Sequence, residues 1–209
     1  MKENAFSEKD SLELITLMIQ QTKKKMEVGS GNVFLYYGYS VLILSVIIFL
    51  LVHFTGHRLW SFLWLLMFVP SILIQLKSAK EKPKVITYTD KAVANTWIVL
   101  GTLFGLTFLT ILLLGFSIGS ANFILMLPLS LLYAGIGTSI TGVLTQSRIL
   151  VYSPLPGFIT SIYMLIELTV NNELAHPFWD LCFGISFLIM MVIPGHIINR
   201  QAYLSCSKN

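Results

Sequence analysis

The sequence predicts an all-α integral membrane protein: a bundle of six transmembrane helices preceded by a short cytoplasmic amphipathic helix. Three observations predict it. Of 209 residues, 55% are hydrophobic and 11% are charged, whereas a water-soluble domain carries about 25% charged residues. Six apolar runs approach the roughly 20 residues that a helix needs to cross the hydrocarbon layer. Lys and Arg are gathered in alternate connections between those runs, the pattern that fixes the orientation of membrane helices.

The N-terminal segment, residues 1–32, is expected to be cytoplasmic. Its first ten residues are polar and mixed in charge, without the short apolar core of a signal peptide. Leu12, Ile15, Ile19, Thr22 and Met26 follow at spacings of three and four, one face of a helix, while Glu13, Gln20, Gln21, Lys23 and Lys24 cover the others. Ser11 or Asp10 can cap it. Three roles fit: a helix on the inner leaflet with Lys23, Lys24 and Lys25 against anionic lipid, a helix that docks a partner, or one that packs on the bundle ends. Gly29-Ser30-Gly31-Asn32 then interrupts the chain before the first span.

The transmembrane domain is read over residues 33–198, as runs at 33–52, 59–76, 92–118, 123–144, 149–170 and 178–198. Asp90 is placed to cap the third helix, which is longer than a bilayer requires and so projects into the cytoplasm or tilts. The fourth and fifth runs contain Pro128, Pro154 and Pro156, which membrane helices accept when neighbours satisfy the freed carbonyls. Pro194 is expected to disrupt the sixth helix, closed by Gly195, His196 and Asn199. Residues 199–209 form a cytoplasmic tail.

Lys2, Lys9, Lys23, Lys24, Lys25, Lys77, Lys80, Lys82, Lys84, Lys91, Arg148, Arg200 and Lys208 all fall on one side of this topology, leaving Arg58 alone on the other. Both termini are therefore expected in the cytoplasm. The net charge of +4 reflects topology and affinity for the lipid bilayer, with no nucleic acid implied. Cys182 and Cys206 make no disulfide framework.

The central parts of the runs lack Asp, Glu, Lys, Arg and His, which argues against mid-membrane proton coupling and against a voltage sensor. His53, His57, Glu167, Glu173, His176 and Asp180 gather toward the outer side. Their types suit a metal, and His53, His57, Glu173, His176 and Asp180 are the candidate ligands; solvated interfacial polar residues are the plainer reading, and no metal or other cofactor is expected. Gly101 and Gly105 form GxxxG, and Ala134, Thr138 and Gly142 form a stripe of small residues. Close packing of the third helix on the fourth is expected from them, with homo-oligomerisation through the same faces as the alternative. Walker, dinucleotide, HExxH and nucleophile-elbow motifs are absent from the sequence, so no enzyme is expected.

Lys84-Val85-Ile86-Thr87-Tyr88-Thr89-Asp90-Lys91, Gly135-Ile136-Gly137-Thr138-Ser139-Ile140-Thr141-Gly142 and Ile189-Met190-Met191-Val192-Ile193-Pro194-Gly195-His196 resemble an uncharacterised family of small bacterial six-span membrane proteins. Ser11-Leu12-Glu13-Leu14-Ile15 and Gly29-Ser30-Gly31-Asn32 are similar to it as well. The resemblance implies a multi-pass protein of the bacterial inner (cytoplasmic) membrane, and assigns no activity, ligand or catalytic residue. The expected function is an accessory, sensory or regulatory role exercised through another membrane or cytoplasmic protein. A transporter or channel for a small neutral or apolar solute is the alternative, its cavity lined near Pro128 and Pro154-Leu155-Pro156 by Asn122, Ser130 and Thr141.

Overall fold

The computed structural model describes residues 31–69, 88–119, 123–170 and 178–206. The chain is helical, with no β-strand among the described residues. Helix α1 spans Asn32–Thr55 and stops at Gly56, whose φ of 69° is the left-handed conformation glycine adopts without steric cost, and whose N–H closes the helix on the Val52 carbonyl at 2.9 Å. Helix α2 spans Tyr88–Ile118. A single 3-10 turn, Phe123–Leu125, leads into α3, Met126–Leu144. Short α4 (Arg148–Tyr152) and α5 (Leu155–Val170) follow. Helix α6 (Phe178–Phe187) runs through a π turn, Leu188–Val192, into α7, Ile193–Cys206.

Five stretches are long and apolar enough to cross a membrane: Asn32–Thr55, Tyr88–Ser117, Phe123–Leu144, Arg148–Val170 and Phe178–Leu204. They coincide with five of the six expected runs. The run at residues 59–76 differs. Its described part, Arg58–Met67, is a 3-10 helix of ten residues, a tighter winding rarely sustained beyond one turn, which at about 2 Å per residue covers about 20 Å. Phe68 and Val69 turn helical, and residues 70–87 lie outside the description.

Pro128 sits in the first turn of α3, where its missing N–H would have had no partner within the helix, so α3 is unbroken. Pro154 separates α4 from α5. The last helix is disrupted just before Pro194, as expected, the preceding turn widening to π geometry; Gly195, His196 and Asn199 do not close it, however, and the helix continues to Cys206.

The α6–π–α7 column is the centre of the bundle. More than half of its apolar stretch is buried (56%), against 11% for α2. Helix α1 runs antiparallel to the column. Gly31 faces Gly195, Gly38 faces Val192, Ser45 faces Gly184, and Phe49 meets Phe178 with ring centroids 5.5 Å apart. Each step forward along α1 is matched by one backward along the column. On the column's other side, α5 joins it to α3, and α2 rests mainly on α3. Val41, Leu131, Leu150, Phe183, Phe187 and Met190 fill the interior.

Three serines bind backbone carbonyls on other elements near the proline positions. Ser161 Oγ donates to the Pro128 carbonyl at 2.7 Å, Ser139 Oγ to Val151 at 3.3 Å, and Ser153 Oγ to Met190 at 3.1 Å. The α-helical donor to Val151 would be Leu155, beyond the Pro154 break. The donor to Met190 would be residue 194, which is proline and has none. Polar groups that cannot reach water need such partners.

Candidate functional site

At one end of the bundle the 3-10 segment, the end of α1 and the start of α6 meet. Asp180, 7% exposed, accepts a hydrogen bond from Trp64 Nε1 at 3.2 Å. The indole in turn lies edge-on to Phe183, with centroids 4.9 Å apart. His53 stacks on Phe49 at 5.5 Å and meets the ring of Phe54 at 5.6 Å. His57 lies beyond the end of α1, at the entry to the 3-10 segment. Glu167 accepts the Tyr163 hydroxyl at 2.7 Å on its own helix. Among the described residues no three of His, Cys, Asp and Glu are grouped so as to hold a metal ion. Of the candidate ligands, Glu173 and His176 fall outside the description.

The small-residue positions divide. Among the described residues, a Cβ added at Gly101 or Gly105 would meet nothing within 4 Å, so the GxxxG pair does not make the contact with α3. The contact between α2 and α3 is made instead at Gly137, where a Cβ would stand 2.8 Å from Leu100 and 3.0 Å from Trp97. Trp97 Nε1 also donates to Thr141 Oγ1 at 3.2 Å, and the Thr107 and Tyr133 hydroxyls pair at 3.0 Å. The stripe on α3 faces other partners. Gly142 abuts Leu150 and Val151 of α4, Ala134 packs against the core, and Thr138 is buried with its hydroxyl on the Ala134 carbonyl. The two helices do pack on each other, but through the α2 face carrying Trp97 and Leu100, because that is the face turned toward α3.

At the other end, α7 lies against the start of α1. Asn199 Oδ1 accepts the Gly31 N–H at 3.1 Å, and its Nδ2 donates to Asn32 Oδ1 at 2.7 Å. Gly31 has no side chain with which to cap α1, so the cap comes from 168 residues along the chain. One turn inward, the Tyr39 hydroxyl and His196 Nε2 are 2.8 Å apart, the rings meeting edge to face. Either atom can be the donor, depending on the imidazole tautomer. Both side chains are exposed.

Sequence reasoning singled out His196, Asn199 and Asp180, and read Trp64 as an interfacial aromatic and Asn32 as part of the interruption before the first span, but paired none of them and passed over Tyr39. The pairings carry no sequence signal, since the members of each pair are far apart in the chain. The expected surface-helix residues Leu12, Ile15, Ile19, Lys23, Lys24, Lys25 and Met26 lie outside the description. Compared with protein-family models, with curated proteins and with solved structures, the chain matches none, and the roles of these residues rest on their geometry.

Proposed function

We propose that the chain is a six-span protein of a bacterial inner membrane, both termini cytoplasmic, acting without catalytic machinery as an accessory, sensory or regulatory protein through a partner. The observation that carries the membrane reading is the outer surface. Phe54, Phe116, Ile159 and Val170 are each 70–82% exposed, and Ile43, Leu106, Leu113 and Ile166 each 54–58%. Apolar area this extensive has no favourable contact with water and a neutral one with acyl chains. The remaining crossing is assigned to the apolar run over 59–76, of which Arg58–Met67 is the described part.

The interior supports a role other than solute passage. Leu131, beside Pro128, is fully buried, and the carbonyls near Pro128, Pro154 and Pro194 are bonded to serines rather than lining a polar path. The partner surfaces proposed from the sequence are the amphipathic segment at residues 11–26 and the basic connection before α2.

Reporters test the topology. A green fluorescent protein fused after Asn209 is expected to fluoresce, as is one inserted after Lys80. Periplasmic phosphatase activity from a fusion after Asn209 overturns the orientation, and from one after Lys80 it overturns the crossing at 59–76. A photo-crosslinker at Ile15 or Ile19 is expected to capture a protein in intact cells; capture of lipid alone removes the partner reading.

A further inference from the structure

The Tyr39–His196 pair belongs to a larger surface. Along α7, His196 and Arg200 are four residues apart and share a face, and both are exposed. Along α1, Tyr36 and Tyr39 are three apart and are 56% and 42% exposed. The helices are antiparallel, with Gly38 against Val192 and Gly31 against Asn199. Moving from Tyr39 to Tyr36 on one and from His196 to Arg200 on the other therefore goes the same way, toward the end where both termini emerge. Tyr39 and His196 are in contact, and Tyr36 and Arg200 lie one turn further toward that end, each on the helix of its neighbour, so two phenols face an imidazole and a guanidinium across the α1–α7 junction.

Neither α1 nor α7 contains an Asp or Glu, and of the described carboxylates Glu167 and Asp180 belong to the opposite end, while Asp90 opens α2, which rests on α3. The cation is therefore not neutralised by its own helix or by the one packed beside it. Guanidinium presents paired N–H donors matched to two phosphate oxygens, and phenol hydroxyls supply further donors. The patch is also open sideways and bordered by Ile193 and Tyr203, 43% and 68% exposed. A ligand with a charged head and an apolar body fits this arrangement better than a small ion does.

We propose that Tyr36, Tyr39, His196 and Arg200 bind the phosphate of an anionic phospholipid headgroup in the cytoplasmic leaflet. This rests on the membrane reading above.

The test uses the full chain in nanodiscs of mixed phosphatidylglycerol and phosphatidylcholine, with retained lipid read by native mass spectrometry after extraction. Arg200→Gln is expected to lower phosphatidylglycerol retention about fivefold, the effect of one basic residue at an anionic surface, and Arg200→Lys to lower it less. Arg148→Gln, a cation at the same end on α4, is expected to leave it unchanged. His196→Gln is expected to lower it with an unaltered melting temperature, which separates binding from folding. The proposal is overturned if Arg200→Gln retains as much phosphatidylglycerol as the parent, or if Arg148→Gln loses as much as Arg200→Gln. It is equally overturned if excess inorganic phosphate displaces the lipid, which would mark a free-anion site. A chain that fails to float with vesicles overturns the membrane reading itself, a result distinct from these.

Discussion

Ser153, in the turn between α4 and α5, donates its hydroxyl to the carbonyl of Met190, 37 residues away in the π turn of the central column. Pro194 leaves that carbonyl without its α-helical donor, so one proline's cost is met by a side chain in the turn between two other helices. Ser153→Ala is expected to destabilise the fold by about 1 kcal/mol, the usual worth of such a bond. Pro194→Ala restores an N–H at position 194, so the serine should matter less in that background. Thermal unfolding of the two single variants and the double variant in detergent measures the coupling. Additive effects would show that the two residues do not act on the same carbonyl.

The glycines separate into two classes that substitution distinguishes. At Gly184 a Cβ would collide with Ser45, which is fully buried. Gly184→Ala is expected to cost about 1–3 kcal/mol, as overpacking does, and Ser45→Gly in the same chain to recover most of it. Gly142→Ala meets the backbone of Leu150 and Val151, which cannot swing aside, and no side-chain change should rescue it. Gly101→Ala and Gly105→Ala add a methyl group that meets no described residue within 4 Å, and both are expected to keep or raise helix stability. Folded yield by size-exclusion chromatography orders all four.

Trp64 holds the 3-10 segment to α6 through Asp180. Trp64→Phe keeps an aromatic ring against Phe183 but removes the N–H, leaving a largely buried carboxyl with one donor fewer. The expected loss is about 1–3 kcal/mol. It should be local: amide exchange over residues 58–67 is expected to rise while that of α3 and α5 stays unchanged. Uniform acceleration across the chain would mean that the segment is not held by this bond.

The legible part of this fold was the apolar length of its helices. Residues 33–52 and 123–144 announce α1 and α3 to within a few positions, because sustained apolarity needs no knowledge of neighbours. Facing is another matter. Gly101 and Gly105 have the spacing of a packing motif, yet whether α2 turns them inward depends on Trp97 and Leu100 filling the cleft beside Gly137, a tertiary outcome. Proline showed where α4 and α5 part, but not that Ser139 and Ser153 would take up the exposed carbonyls. The 3-10 winding of Arg58–Met67 has no compositional mark, since apolar residues report a preference to leave water and not hydrogen-bond register. At the ends of the bundle, His196, Asn199 and Asp180 were visible as polar residues out of place, while Tyr39, Asn32 and Trp64 became partners only through folding.

Asn199 ties the two ends of the chain together, and its loss should be felt at the entrance to α1. Its Oδ1 takes the Gly31 N–H while its Nδ2 holds Asn32. Aspartate preserves the acceptor and forfeits the donor, and alanine removes both. Asn199→Ala is expected to cost about 1 kcal/mol, the usual price of a lost helix cap, and Asn199→Asp less, since a negative charge at a helix N-terminus is favourable. Because Gly195 packs against Leu35 and the Gly31 carbonyl one turn away, the two helices should stay in contact in both variants. A cysteine pair at positions 35 and 195 should therefore cross-link in the parent and in Asn199→Ala alike, and hydrogen exchange at residues 32–35 should rise in Asn199→Ala without a matching rise at residues 45–52. Equal stability of the alanine variant and the parent would show that water or lipid caps α1 as well as Asn199 does.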